Sequence, residues 1–352
     1  MTSPLEPGRT HAAHAAAPSI SAPSPWLRGP VFDLSLIGGV LALALLLGGV
    51  AAASPALLLG VLYLDFWLLA YPHVASTYTR IAFDRAGVRR HWFLLFGLPP
   101  LVFAATASLS WFGGVVVLNT LYFYWQTWHY TRQSHGIARA YRRAALPGAP
   151  GHDRLTECVV FGFPTWGLLH RAHQQQGEFY ASPMLTFDIP GALVLAAGLL
   201  SLGALALWIL RLLRPTRTTT PGTGHALFVL SHVAITTLSY LAIDDITRGW
   251  LFINIWHNAQ YLLFVWAQNA RRFHGGIDPA RPFLSWLCQP GQRLHYALVC
   301  LGLGGAFYFV LGHAAEQLAW MALPLVLICH QTVNFHHYIV DAVIWRSPRP
   351  GR

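Results

Sequence analysis

Histidine is the residue through which this sequence offers chemistry. Eighteen occur in 352 residues, and several lie inside apolar runs where an ionisable side chain is costly unless it is partnered or used. The densest string is CHQTVNFHHYIVDAVIWR, residues 329–346. On a helix, His330, His337 and Asp341 fall on one stripe, while His336 is rotated away by about 100°. Two imidazoles and a carboxylate are the ligand set of non-haem iron sites. The His337 and Asp341 spacing suits either shared ligation or carboxylate support of a ligating imidazole, with Asn334 as a neighbouring hydrogen-bonding group.

Three further strings carry the same residue types. YFYWQTWHYTRQSHGIARAYRR aligns Gln126, His129 and Gln133 on one helical face, with His135 further along. LFINIWHNAQYLLFVWAQNARRF groups Asn254, His257, Gln260 and Tyr261. DFWLLAYPHVASTYTR places Asp65 near mid-span and His73 directly after Pro72, whose missing N–H and bulky ring predict a kink beside the histidine. The expected metal ligands are therefore His73, His129, His257, His330, His336 and His337. Asp341 and Asp65 are the candidate catalytic carboxylates, and Gln126, Gln133, Gln260, Asn334, His135 and His232 are the expected supporting partners.

The elements that must position these groups are membrane helices. Apolar residues make up 55% of the chain and charged residues only 10%, far below a soluble domain, which excludes a water-soluble globule or a disordered chain. Runs near 34–53, 56–79, 92–111, 114–131, 155–170, 190–210, 225–243, 251–268, 294–312 and 318–345 predict an all-α polytopic bundle of ten spans. All 23 basic residues are Arg, and ten spans put 21 on the side of the N-terminus and two, Arg171 and Arg248, opposite. The positive-inside rule then assigns both termini to the cytoplasm of a bacterial-type inner membrane. Residues 31–346 form one transmembrane domain, between a disordered tail over 1–30 and a short tail over 347–352. Arg clusters set between apolar runs speak for topology and against nucleic acid. Cys158, Cys288, Cys300 and Cys329 form no CxxC pair and read as packed thiols. Counted back from the Arg clusters, His73, His129, His337 and His232 fall in the cytoplasmic half of the bilayer. One polar cavity would collect them, with His257 at its deeper end.

Integral-membrane placement with many histidines near the cytoplasmic face resembles the di-iron desaturases and hydroxylases of lipid metabolism. Tyr122, Phe123, Trp128 and His129 are also similar to the aromatic and Trp-His segment of bacterial membrane carotene dioxygenases. The likeness implies a membrane-embedded non-haem oxygenase with one or two iron ions. It would hydroxylate, desaturate or cleave a lipophilic substrate taken from the bilayer, with electrons from a soluble cytoplasmic donor. The sequence leaves open a haem or quinone electron carrier, a transporter and a membrane zinc hydrolase.

Overall fold

The computed structural model describes residues 23–148, 152–214, 222–318 and 324–345. The regular secondary structure of the described residues is helical apart from one two-stranded hairpin. We label the helices α1 (Pro30–Ala53), α2 (Pro55–Tyr78), α3 (Arg85–Arg90), α4 (Phe93–Ala145), α5 (Arg154–His173), α6 (Gly191–Leu213), α7 (Thr223–Ala242), α8 (Ile246–Arg272), α9 (Pro282–Leu287), α10 (Pro290–Gln317) and α11 (Leu325–Ile344). Strands β1 (Glu178–Phe179) and β2 (Ser182–Pro183) pair antiparallel between α5 and α6.

Local sequence explains the breaks. Ser54 leaves the helical conformation and its hydroxyl accepts from the Leu57 N–H, while Pro55 starts α2 at a position that needs no N–H donor. α4 is bent into two arms at Gly114, whose φ of 73° is open to glycine and strained for other residues. Asp153 caps α5, and its carboxylate also takes the guanidiniums of Arg142 and Arg211. Burial alone would raise its pKa. The hydrogen bonds from Arg211 and Thr156 and the nearby Arg charges outweigh that and hold it at about 2. α5 is one continuous helix through Pro164.

α8 is the central post, buried along nearly every position from Gly249 to Ala270. Around it, α1 packs on α8 and α2, α10 on α2, α11 on α4, and α5 on α6 and α7. α1, α2, α4, α6, α7 and α10 are long and apolar enough to cross a membrane. Their outer faces expose large side chains such as Leu46, Leu59, Phe112, Leu200 and Phe309, an arrangement that suits hydrocarbon rather than water. α8 and α11 carry the polar groups instead. Shielded by the other helices, they spend their faces on Asn, Gln and His rather than on apolar contact with lipid.

Arg171 is 1% exposed. It donates to the carbonyls of Ser239, Ile243 and Asp244, satisfying the acceptors left at the end of α7. The hairpin between α5 and α6 inserts Phe179 and Tyr180 against Trp250, and Asn119 fixes it by donating to the Phe179 and Ser182 carbonyls at 3.1 Å. Of the tail expected over 1–30, residues 1–22 lie outside the described ones. Ser24 and Pro25 hydrogen-bond to Ala144 and Gly224. The tail expected over 347–352 also lies outside the described residues.

Candidate metal centre

α2 carries His73 one turn beyond a widened, π-helical stretch, Phe66–Ala70. Pro72 cannot donate to the helix, and the wider turn relieves its ring of the carbonyl four residues earlier. The kink expected beside His73 therefore takes the form of a π turn. α10 closes on the same place. Gly304 lies so near α2 that a Cβ there would stand 2.5 Å from the Tyr71 carbonyl oxygen.

His73 from α2, His129 from α4 and His337 from α11 converge, each offering a ring nitrogen within 4.8 Å of the other two. All three are buried. The Nε2 atoms of His73 and His337 are 2.8 Å apart. His257 of α8 completes a ring of four imidazoles, its centroid 4.8 Å from that of His73 and 5.0 Å from that of His129. Neither nitrogen of His257 has a hydrogen-bond partner among the described residues, and neither does Nε2 of His129. Buried nitrogens are normally paired, so convergent imidazoles with unpartnered nitrogens among them fit a cation better than they fit a packed core. The donor set is nitrogen-rich with a carboxylate beside it, which suits iron or zinc and not magnesium or calcium.

The supporting groups are arranged around His337. Tyr261 donates to Asp341 Oδ1 at 2.6 Å and the Thr77 hydroxyl donates to the same oxygen at 3.2 Å. With its own proton given to Asp341, the Thr77 oxygen accepts from His337 Nδ1 at 3.1 Å. That order of bonds leaves His337 Nε2 as the free lone pair facing His73. The direct Asp341 to His337 bond suggested by their spacing is thus replaced by a relay through Thr77. The second Asp341 oxygen has no hydrogen-bond partner among the described residues and lies 3.8 Å from His337 Nε2. Thr77 is the residue of this candidate site that sequence reasoning passes over, because nothing local distinguishes it from an ordinary helix threonine.

The other expected site residues lie outside the triad. His330 lies among the rings of Phe66, Tyr71 and Tyr308, outside the triad. His336 is bonded to the Tyr78 hydroxyl at 2.8 Å and the Leu94 carbonyl at 2.6 Å. Asp65 accepts from Asn254 and Asn258, and Asn254 in turn accepts from the Tyr130 hydroxyl. Gln126 bridges Tyr122 and Trp250, and Asn334 donates to Gln331. His232 bonds the Val160 carbonyl and His135 bonds Glu157. Both amide atoms of Gln133 and Gln260 are buried without a hydrogen-bond partner among the described residues.

Three cavities lie in this part of the bundle. The smallest, about 40 Å³, is lined by His73, His257, His337 and His330. An apolar one of about 600 Å³ lies beyond His330, Tyr122 and Phe66. A third, of about 620 Å³, reaches His129 and Asp341 from the Arg-rich end of α4. In comparison with known proteins the chain matches no family model, no curated protein and no solved structure.

Proposed function

We propose that this chain is a membrane-embedded, histidine-ligated non-haem iron oxygenase that hydroxylates, desaturates or cleaves a lipophilic substrate. The observation that carries the reading is the buried meeting of His73, His129 and His337 from three helices, with unpartnered ring nitrogens on His129 and on the adjacent His257. Three imidazoles would hold the ion, with His257 packed beside two of them and Asp341 Oδ2 3.8 Å from His337 Nε2. Iron bound there would supply dioxygen chemistry in a buried site. In a hydroxylation, one oxygen atom enters a C–H bond of the substrate. The other leaves as water, with two electrons and two protons drawn from a soluble donor on the Arg-rich side.

The chain's own groups have defined tasks in this scheme. Thr77 and Asp341 fix the His337 tautomer and raise its basicity as a ligand. Tyr338, stacked on His129 with centroids 4.3 Å apart, holds that ring in place and excludes water. The ten-span topology belongs to the same proposal: the Arg-rich side, both termini included, faces the cytoplasm of a bacterial-type inner membrane, and the histidine centre opens toward it. A haem reading is disfavoured by space, since the cavity of about 40 Å³ beside the imidazoles is far below a porphyrin.

Metal analysis of the purified protein, followed by turnover under labelled dioxygen, tests the proposal. Iron at one or two ions per chain is expected, with oxygen-derived label in the product or a new double bond, only when reductant is present. Zinc in place of iron, with label entering from water in the absence of oxygen, would reject it in favour of a hydrolase.

A further inference from the structure

The cavity at the Arg-rich end of α4 differs from the other two in its lining. Its deep end is His129 and Asp341, beside Tyr261 and Tyr338. Its walls include the apolar rings of Trp125, Trp128 and Phe264. Trp128 is 53% exposed, so this wall reaches the lipid-facing surface of the bundle. Its mouth carries Arg132, Arg139 and Arg143, which recur on one face of the same continuous helix.

These three guanidiniums have no carboxylate partner among the described residues. The ion pairs of the basic side use Arg142, Arg211, Arg272 and Arg281 instead. The charges that act on Arg143 are two further guanidiniums, Arg139 and Arg271. Nε of Arg139 and both amide atoms of Gln133 are buried without a hydrogen-bond partner among the described residues. Like charges gathered around a concave, partly desolvated space with unused donors form a site for an anion. Between Arg139 and His129 the lining mixes Ile137 and Gly136 with His135, Gln133 and Arg132, and Trp128, Phe264 and Ile339 complete the wall. From His129 to Arg143 the helix rises about 21 Å, and from His129 to Arg139 about 15 Å.

We infer that this cavity binds a single-chain amphiphile with a carboxylate or phosphate head, the head held by Arg139 and Arg143 and the apolar chain directed at the histidine centre. The inference names the substrate class for the oxygenase reading and rests on it for what happens to the chain. Binding itself needs no metal. The head group fixes how far along the chain the reacting carbon lies, because the distance from the arginines to His129 is set by one rigid helix.

The test is binding to metal-free protein in nanodiscs of zwitterionic lipid, read by quenching of tryptophan fluorescence with ω-bromododecanoate. Dodecanoate and dodecyl phosphate should compete, and dodecanol and inorganic phosphate should be at least tenfold weaker. The Trp125→Phe variant should lose part of the quenching, because the bromine at the chain end would sit beside Trp125. Arg139→Gln together with Arg143→Gln should weaken both anions about tenfold or more, the loss expected for a charge-assisted contact, and leave dodecanol unchanged. Equal binding of dodecanol and dodecanoate, or no effect of the double variant, would overturn the inference. So would inorganic phosphate matching dodecyl phosphate, since the chain would then not be read. Competition by phosphatidylglycerol nanodiscs as strong as that of dodecanoate would assign the cavity to a bilayer lipid and also overturn it. Failure of the metal reading shows separately, as absence of iron from the purified protein with the binding results intact.

Discussion

His129 brings to the centre an Nε2 with no other partner among the described residues, and His73 and His337 face each other through Nε2. Removing any one imidazole leaves too few nitrogen donors at the meeting point. His73→Ala, His129→Ala and His337→Ala should each lower metal content at least tenfold, as measured by inductively coupled plasma mass spectrometry on folded protein. His330→Ala and His336→Ala should retain it, because their rings are engaged with Tyr308 and with Tyr78 and Leu94. Thr77→Val keeps the shape and deletes the relay to Asp341, so metal affinity should fall about 10–100-fold, with Thr77→Ser restoring most of it. Full metal content in all three triad variants would remove the site assignment.

The triad depends on where α2 runs, and α2 is set by three features acting together. The π turn at Phe66–Ala70 and Pro72 bend it, and Gly304 lets α10 lie directly against the bend. A methyl at Gly304 meets backbone rather than a flexible side chain, so the helices must separate. Gly304→Ala should destabilise the protein by about 1–3 kcal/mol, the range of overpacked cores, and lower metal affinity through displacement of His73. Thermal unfolding with and without added iron measures both effects. Gly302→Ala, with open space around its Cβ position, is the control and should change neither. Normal stability and metal binding in Gly304→Ala would show that the close approach does not position the centre.

For the molecule as a whole, the expected sidedness rests on arginine. If the Arg-rich ends share one side, Arg90, at the end of α3, and Asp188, in the α5–α6 connection, lie on opposite sides of the membrane. Both are exposed. In a background with the four cysteines replaced by serine, Arg90→Cys should react with a membrane-impermeant maleimide only in inverted vesicles, and Asp188→Cys only in intact cells. Labelling of both from one side would remove the ten-span topology, and with it the placement of the arginine-lined cavity toward the cytoplasm.

Much of this architecture is legible along the chain. Composition and the length of the apolar runs imply helices with lipid-compatible outer faces, since backbone polar groups in hydrocarbon must be satisfied within the segment. The helix breaks at Ser54–Pro55, Gly114 and Asp153 follow from capping and glycine geometry, which are local properties. The residue types able to ligate metal were visible too, because a histidine in an apolar run stands out without any partner being known. Which of them meet was not visible. Helical periodicity puts His330 and His337 on one stripe, yet they lie about 10 Å apart along the axis, so one reaches the centre and the other does not. His336, adjacent to His337 in sequence, turns toward Tyr78 and Leu94. The relay from Asp341 through Thr77 to His337 joins α2 to α11 across the core. Sequence spacing determines which side chains share a face of their own helix. How deep each helix sits, how it is rotated and which neighbour it faces are decided by long-range packing around α8, and the tertiary structure alone supplies that.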